Sequence, residues 1–338
     1  MEASEEITAS TLAQYTRIDL VYKQINNLSL SAAALIPNSI LSSPAQSYPI
    51  LVHFHGGALL LGTNPDPSFL SLWYLSPPFP PFPQGKLINA HRLTSLPLAT
   101  PAIFISPAYR LLPEATGTDL LSDISSFWTW LHTSFPPALL ATHPHIIPDL
   151  SRIACAGESA GGFLSIQSAL LFQDVAKIKI VMAAYPAQYP DVGAYQPRRE
   201  AIDENAERVM DEYMAKCKRG ELPVRVSSPW PEMKGLVEAM CVTGRHREMM
   251  AGEEGLTLDG ALRGVKGDTP GIWVIQGADD VLVPKRAADE VVRRIREALP
   301  GVKVFYKPRV GGHLFDQGCG LEETWVQEGM EFVREFWP

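Results

Sequence analysis

Residues 152–172 read RIACAGESAGGFLSIQSALLF. The first five, 152–156, read as a strand whose residues Ile153 to Ala156 are apolar, as expected where both faces are covered. Residues 160–172, apolar for longer than a strand, read as the helix that follows. Between them stands Gly157-Glu158-Ser159-Ala160-Gly161, a GxSxG pattern at a strand-to-helix junction. At such an elbow the serine takes a strained backbone conformation, and glycines two positions to either side remove side chains that would collide. The hydroxyl is thereby held out at the strand end, beside a helix N-terminus whose free amides favour developing negative charge. GxSxG alone is common by accident, so its context and the rest of the chain must supply the remaining chemistry.

Working outward, short strands alternate with helices. Strands are predicted at 17–23 and 28–36, a hairpin turning at Asn26-Asn27 at a sheet edge, and then at 48–54 and 102–106. Leu120, Leu121, Ile124, Phe127, Trp128 and Leu131 recur at helical spacing and predict a helix over 119–132 with a core-facing side. Further strands are expected at 178–184, 272–276 and 302–306, and helices at 285–299 and 322–336. The alternation predicts an α/β fold with a mainly parallel central sheet flanked by helices. Residues 186–268, rich in Glu, Arg, Lys and Met with a helical segment at 201–218, read as an inserted helical cap. The catalytic core is then 1–185 and 269–338. A Pro-rich loop at about 63–97, with PPFPPFP at 77–83, carries Trp73, Tyr74, Phe79 and Phe82.

Bulk properties bound the function. The chain has 338 residues, 46% hydrophobic and 20% charged, ordinary for a globular protein able to bury a large core. A formal net charge of −8 and no long basic run argue against nucleic-acid binding, and Arg293, Arg294 and Arg296 read as a solvated helix face. The four cysteines, at 155, 217, 241 and 319, show neither CxxC spacing nor a disulfide pattern, which fits a reduced cytoplasmic protein. The N-terminus MEASEEITAS is acidic where a secretion signal is basic. No apolar run approaches the ~20 residues that cross a bilayer, so no membrane partner is expected.

A serine hydroxyl needs a base to take its proton as it attacks, and histidine suits that role near neutral pH. Of the eight histidines, His313 lies in a Gly-rich turn, Gly311-Gly312-His313-Leu314, just after the last expected strand. A carboxylate must fix the imidazole tautomer. Asp279 and Asp280 both follow the strand at 272–276; Asp280 is preferred and Asp279 is the runner-up, able instead to cap the turn. The order Ser, Asp, His is the one expected of a nucleophile-elbow hydrolase. A charged tetrahedral intermediate also needs backbone donors. His55-Gly56-Gly57-Ala58 offers the amides of Gly57 and Ala58, with Ala160 as a third.

The ordered set of HGGA and LLLG at 55–62, Tyr109-Arg110-Leu111 with Pro113-Glu114, GESAGG at 157–162, GADDVLVP at 277–284 and GGH at 311–313 resembles the hormone-sensitive-lipase-like carboxylesterases of the α/β-hydrolase fold. The likeness runs from about residue 17 to the C-terminus, omitting the cap and the Pro-rich loop. It implies hydrolysis of a carboxylic ester through an acyl-enzyme on Ser159, with no metal or organic cofactor, and a small-molecule ester as substrate. It gives His55, Gly56 and Glu158 supporting places, Glu158 as a hydrogen-bonding neighbour of Ser159 or a group that tunes His313. Tyr109, Arg110 and Glu114 read as structural, bonding the strand end to nearby loops. The aromatic loop residues and Leu314 are candidates for an apolar substrate pocket, suited to a small or medium hydrophobic ester such as a natural-product intermediate. Two departures matter. Ala58 stands where the family usually has a third glycine, and the loop after HGGA is longer than usual. The same triad could serve a biosynthetic dehydration, cyclisation or acyl transfer, and the scaffold could serve as a non-catalytic receptor, although the intact Ser, Asp and His set argues against the latter.

Overall fold

The computed structural model describes residues 14–64, 101–188, 203–228, 233–250, 253–316, 319 and 323–337. Eight strands form one sheet: β1 Tyr15–Ile25, β2 Leu28–Pro37, β3 Gln46–Phe54, β4 Ile103–Pro107, β5 Ile146–Glu158, β6 Ile178–Ala184, β7 Gly271–Ile275 and β8 Val304–Tyr306, in the order β1-β2-β4-β3-β5-β6-β7-β8. β1 and β2 pair antiparallel around the Asn26 turn, and β2 meets β4 antiparallel; from β4 to β8 every pairing is parallel. The burial of side chains follows from this arrangement. β1, at the sheet edge, alternates half-buried and exposed residues along much of its length, whereas the last seven residues of β3 and all of β7 are buried on both faces.

Helices cover the two faces of the sheet. Gly117–Thr133 is set by a capping box, in which the Thr116 side chain accepts from the Asp119 amide and the Asp119 carboxylate accepts from the Thr116 amide. Its buried side includes Leu120, Ile124, Phe127, Trp128 and Leu131, the residues picked out by their spacing; Leu121 is only partly buried. Lys285–Ala298 turns Ala287, Ala288, Val291, Val292 and Ile295 inward. Of the outer arginines, Arg293 pairs with Glu290 and Glu297, Arg294 with Glu290 and Asp259, and Arg296 donates to the Val304 carbonyl.

Differences from the sequence reading have local causes. β5 begins at Ile146 rather than at 152 because Pro148 and Asp149 do not end a strand whose flank is paired to β3 at Gln46↔Ile146 through Tyr48↔Pro148. Phe135–Thr142, which the pattern left unassigned, is a helix, since prolines in a first turn forfeit no helical hydrogen bond. The helix expected from 201 runs as Glu204–Lys218, with the Asp203 side chain accepting from the Ala206 amide as its cap. Between β6 and β7 the described residues hold this helix, Lys234–Thr243 and shorter turns, with no named strand. Their one ladder contact outside the helices is a bridge from Ser228 to Gly62. Among the described residues no helix is long and apolar enough to cross a membrane. Trp73, Tyr74, Phe79 and Phe82 lie outside the described residues.

Candidate active site

The register of the parallel strands brings their C-terminal ends level. Phe54 pairs with Gly157, Glu158 with Ala184, and Ala184 with Ile275. The segments beginning at residues 55, 159, 185 and 276 therefore leave the sheet at one edge, where open α/β sheets bind their ligands.

Ser159 sits between β5 and the helix Ala160–Leu171 with φ 53 and ψ −109. A non-glycine residue there costs about 1–3 kcal/mol and persists only where its surroundings impose it. Three backbone bonds do so: Ser159 donates to the Ala184 carbonyl at 2.9 Å, and the Ser159 carbonyl accepts from Phe163 at 3.0 Å and from Ala187 at 3.2 Å. The flanking glycines are steric requirements. A Cβ at Gly161 would lie 1.9 Å from the Phe54 carbonyl oxygen, and one at Gly157 would lie 2.4 Å from the Gly161 carbonyl. The serine is partly exposed while its neighbours Glu158 and Ala160 are buried.

His313 and Asp280 meet. The imidazole Nδ1 is 2.7 Å from Asp280 Oδ2, with the residues only 6% and 5% exposed. The second carboxylate oxygen accepts from the amides of Leu282 at 2.9 Å and Val283 at 2.8 Å, and Gln276 Nε2 donates to Oδ2 at 3.3 Å. The carboxylate is thus fixed on both oxygens before it meets the ring. Asp279 does other work: its carboxylate accepts from the Gly311 amide at 3.0 Å and its own amide donates to the Gly311 carbonyl at 2.9 Å, tying the loop of Asp280 to the loop of His313. The other neighbour of the imidazole is Tyr185, ring centroids 4.5 Å apart. Tyr185 directly follows Ala184, the residue that accepts from Ser159. Among the described residues the Ser159 hydroxyl makes no hydrogen bond to the His313 ring.

The segment after β3 is a chain of unusual backbone angles. Gly57 has φ 102, Ala58 φ 57, Leu59 φ 62 and Gly62 φ 110. The Gly57 carbonyl accepts from Leu60 at 3.0 Å and Leu61 at 2.8 Å, closing a tight turn, and a Cβ on Gly57 would lie 2.5 Å from the Leu61 carbonyl oxygen. Ala58 keeps the amide that a glycine would supply, in a backbone region glycine would occupy without strain. At the foot of the turn His55 stacks on Tyr109 with centroids 4.3 Å apart, and its Nδ1 lies 2.8 Å from the Gly56 carbonyl, the geometry of an N–H donor in the neutral ring. Burial brings the His55 imidazole down to about 4, so it is uncharged at neutral pH. Tyr109 donates its hydroxyl to the His55 carbonyl at 2.9 Å.

Of the two readings of Glu158, the geometry fits the hydrogen-bonding one. Its carboxylate is 2.8 Å from His53 Nε2, both side chains buried, so it supports the end of β3 and does not contact His313. Arg110 and Glu114 also reach further than the loops beside their strand. Arg110 holds Asp123 and Asp119 on the helix Gly117–Thr133, and Glu114 is gripped by Arg225. Leu314, at φ 66, is 7% exposed within the hydrophobic core.

Tyr185, Gln188, Gly62 and Arg225 were not singled out in the sequence. Gln188, 2% exposed and next to the Ala187 that bonds Ser159, has neither side-chain amide atom paired among the described residues. Gly62 packs so closely on His55 that a Cβ would lie 2.1 Å from its Nδ1. The final glycine of LLLG was the signal available for it. Among the described residues no cluster of three or more His, Cys, Asp or Glu could hold a metal ion.

A family model described as alpha/beta hydrolase fold matches residues 87–256. The chain belongs to the alpha/beta hydrolase fold family. Its curated relatives include a probable carboxylesterase of Phoma sp., 30% identical and aligned over 97% of this hydrolase and 98% of the relative. A probable carboxylesterase of Cochliobolus lunatus is 36% identical over 54% of this chain and 86% of its own. Solved structures with the same fold include a fungal esterase of Rhizomucor miehei, with TM-score 0.54, 16% identity, and 99% of this chain and 90% of that one covered. Another is an esterase of Mycobacterium marinum, with TM-score 0.55, 18% identity, and 100% and 88% covered. This alpha/beta hydrolase is carboxylesterase-like along nearly its whole length.

Proposed function

We propose that this hydrolase cleaves a small or medium hydrophobic carboxylic ester through an acyl-enzyme on Ser159. The observation that carries the reading is the 2.7 Å contact of His313 Nδ1 with Asp280, at the sheet edge where Ser159 protrudes from its elbow. With Nδ1–H committed to Asp280, Nε2 is left as the basic nitrogen. Ser159 Oγ attacks the ester carbonyl as His313 Nε2 takes the hydroxyl proton, and the imidazolium formed is stabilised by Asp280. The carbonyl oxygen, now negative, is bound by the amides of Gly57, Ala58 and Ala160. His313 then gives its proton to the departing alkoxide. In the second half, His313 takes a proton from water, which attacks the acyl group, and the acid leaves as Ser159 recovers its hydrogen.

On this reading residues 186–268 form a cap over the site, and the core comprises 1–185 and 269–338. A hydrophobic acyl or aromatic group, such as a natural-product ester carries, suits an apolar pocket, for which Leu314, beside His313 in sequence, is a candidate. The likeness to fungal carboxylesterases over most of the chain supports the ester as substrate class.

The test is intact-mass labelling with a fluorophosphonate, followed by a p-nitrophenyl ester panel of increasing chain length. Wild type is expected to gain one adduct and Ser159→Ala none. Hydrolysis in H2¹⁸O should place the label in the acid product. An adduct that persists on Ser159→Ala removes the nucleophile assignment, and an unlabelled product acid removes hydrolysis.

A further inference from the structure

Arg225 lies in the segment between β6 and β7, far in sequence from every motif of the site, yet its guanidinium bridges two other segments, at Leu60 and at Leu112 to Glu114. Nε and Nη2 grip the Glu114 carboxylate, each at 2.8 Å. Nη1 donates to the Leu60 carbonyl at 3.1 Å and Nη2 to the Leu112 carbonyl at 3.0 Å. The Arg225 side chain is 16% exposed and that of Glu114 only 2%. Glu114 is held from a further side by the Tyr213 hydroxyl, on the helix Glu204–Lys218.

The surrounding backbone is bonded in the same sense. Leu111 donates to the Arg225 carbonyl at 2.8 Å and Leu112 to the Leu59 carbonyl at 2.8 Å. Ser228 and Gly62 exchange a pair of bonds, at 3.0 and 3.3 Å. The turn 59–62 is thus fastened at Leu59, Leu60 and Gly62. This same turn closes on Gly57 through the Leu60 and Leu61 amides, and the stretch 57–62 so formed contains two successive non-glycine residues, Ala58 and Leu59, in the left-handed region. Both conformations are strained for residues with a side chain, so the turn holds this shape only because its surroundings impose it.

A buried ion pair is weak evidence for stability, because desolvation offsets attraction and an apolar pair often serves as well. Its use here is geometric. A planar guanidinium can hold a carboxylate with two parallel bonds while its remaining N–H groups address two carbonyls in fixed directions, which the ammonium of lysine cannot do.

We infer that Arg225, seated by Glu114, is a positioning residue for the oxyanion hole: it fixes the Leu60 carbonyl and so aims the amides of Gly57 and Ala58 at the reacting oxygen. The inference rests on the function proposed above. It also makes the segment beyond β6 a contributor to the chemistry, since the aim of those amides depends on a residue outside the core strands.

The experiment compares wild type with Arg225→Gln, Arg225→Lys and Tyr213→Phe in kcat and KM for p-nitrophenyl butyrate, rate of phosphonylation by a fluorophosphonate, and Tm. For Arg225→Gln, kcat should fall about 10- to 100-fold, short of the ~10²–10³ lost with a whole donor, with KM within about threefold. Phosphonylation should slow by the same factor, because the phosphoryl oxygen uses the same amides. Arg225→Lys should regain Tm but not kcat, and Tyr213→Phe should lower kcat by a smaller factor. A folded Arg225→Lys with wild-type kcat and phosphonylation overturns the inference, as does a loss of kcat in Arg225→Gln that Arg225→Lys restores together with Tm. Should Arg225→Gln fail to fold, Arg225→Lys and Tyr213→Phe decide by the same criteria. A wild type that neither labels nor hydrolyses sinks the parent reading, whatever the variants do.

Discussion

Glu158 is bonded to His53, Nε2 to Oε2 at 2.8 Å, and not to His313, although it stands next to Ser159 in sequence. In a strand the side chains of neighbours point to opposite sides, and the Glu158 carboxylate is committed to β3, where His53 also stacks on Phe104. Glu158→Gln should therefore leave the acidic limb of the kcat/KM pH profile where it is in wild type, while Glu158→Ala should cost about 1–3 kcal/mol of stability by leaving His53 buried without its partner. Denaturant melts and pH–rate profiles of both variants check this; a displaced acidic limb in Glu158→Gln would count against the separation of the two groups.

Asp280 and Asp279 should differ sharply. Asp280→Asn cannot hold the imidazole in the required tautomer, and kcat should fall on the order of 10⁴-fold. Asp279→Asn loses only the carboxylate that accepts from the Gly311 amide, and kcat should drop by no more than about tenfold, the cost of a charged hydrogen bond in a surface loop. Equal losses in the two would contradict the assignment.

Gly161→Ala should be among the most damaging small substitutions in the chain. The added methyl would lie 1.9 Å from the Phe54 carbonyl and 2.9 Å from that of His55, both backbone atoms held by the sheet edge. A loss of more than about 4 kcal/mol, or failure to accumulate folded protein, is expected. Soluble expression and urea unfolding read the outcome.

Ala58→Gly, in contrast, should be tolerated. The amide donor is retained and the left-handed strain at φ 57 is relieved, while the freer unfolded chain opposes this by about 0.4–1 kcal/mol. Stability should change by less than about 1 kcal/mol and kcat by less than about threefold. A large loss of kcat would mean that the methyl group itself contacts substrate.

Stability should fall with acid over a window set by His55. Burial lowers its imidazole from 6.5 to about 4, so the folded protein keeps it neutral while the unfolded chain takes up a proton below pH 6.5. The stabilisation is complete above that pH and is lost as pH falls toward about 4, at up to ~1.4 kcal/mol per pH unit. His246, lowered by burial to about 3, acts in the same direction to lower pH. Tm measured from pH 7 to 4 should decline, and His55→Gln should flatten the His55 share of that decline. An unchanged slope in His55→Gln would show that other groups set it.

Much of this was legible in the sequence because short-range rules govern it. Apolar runs of strand length, the helical spacing from Leu120 to Leu131, and glycines flanking Ser159 are constraints between residues a few positions apart. They determined a parallel sheet with an elbow, and with it the serine, the histidine after the last strand and the aspartate pair. The choice between Asp279 and Asp280 was not local. It depends on which carboxylate faces a ring 33 residues away, and the two loops are aligned by bonds between Asp279 and Gly311 that no spacing announces.

Read alone, then, the chain points to a kind of chemistry: a candidate nucleophile at a glycine-flanked elbow, with a candidate base and acid in the chain order of this fold. The packed fold then set pairings that the sequence had not named, Glu158 with His53 and Arg225 with Glu114 across 111 residues, and it put Asp280, already preferred, against His313. The physical reason is that backbone propensity acts between neighbours in the chain, whereas a buried charge must find whichever opposite charge or carbonyl the packed sheet and helices bring within hydrogen-bonding distance.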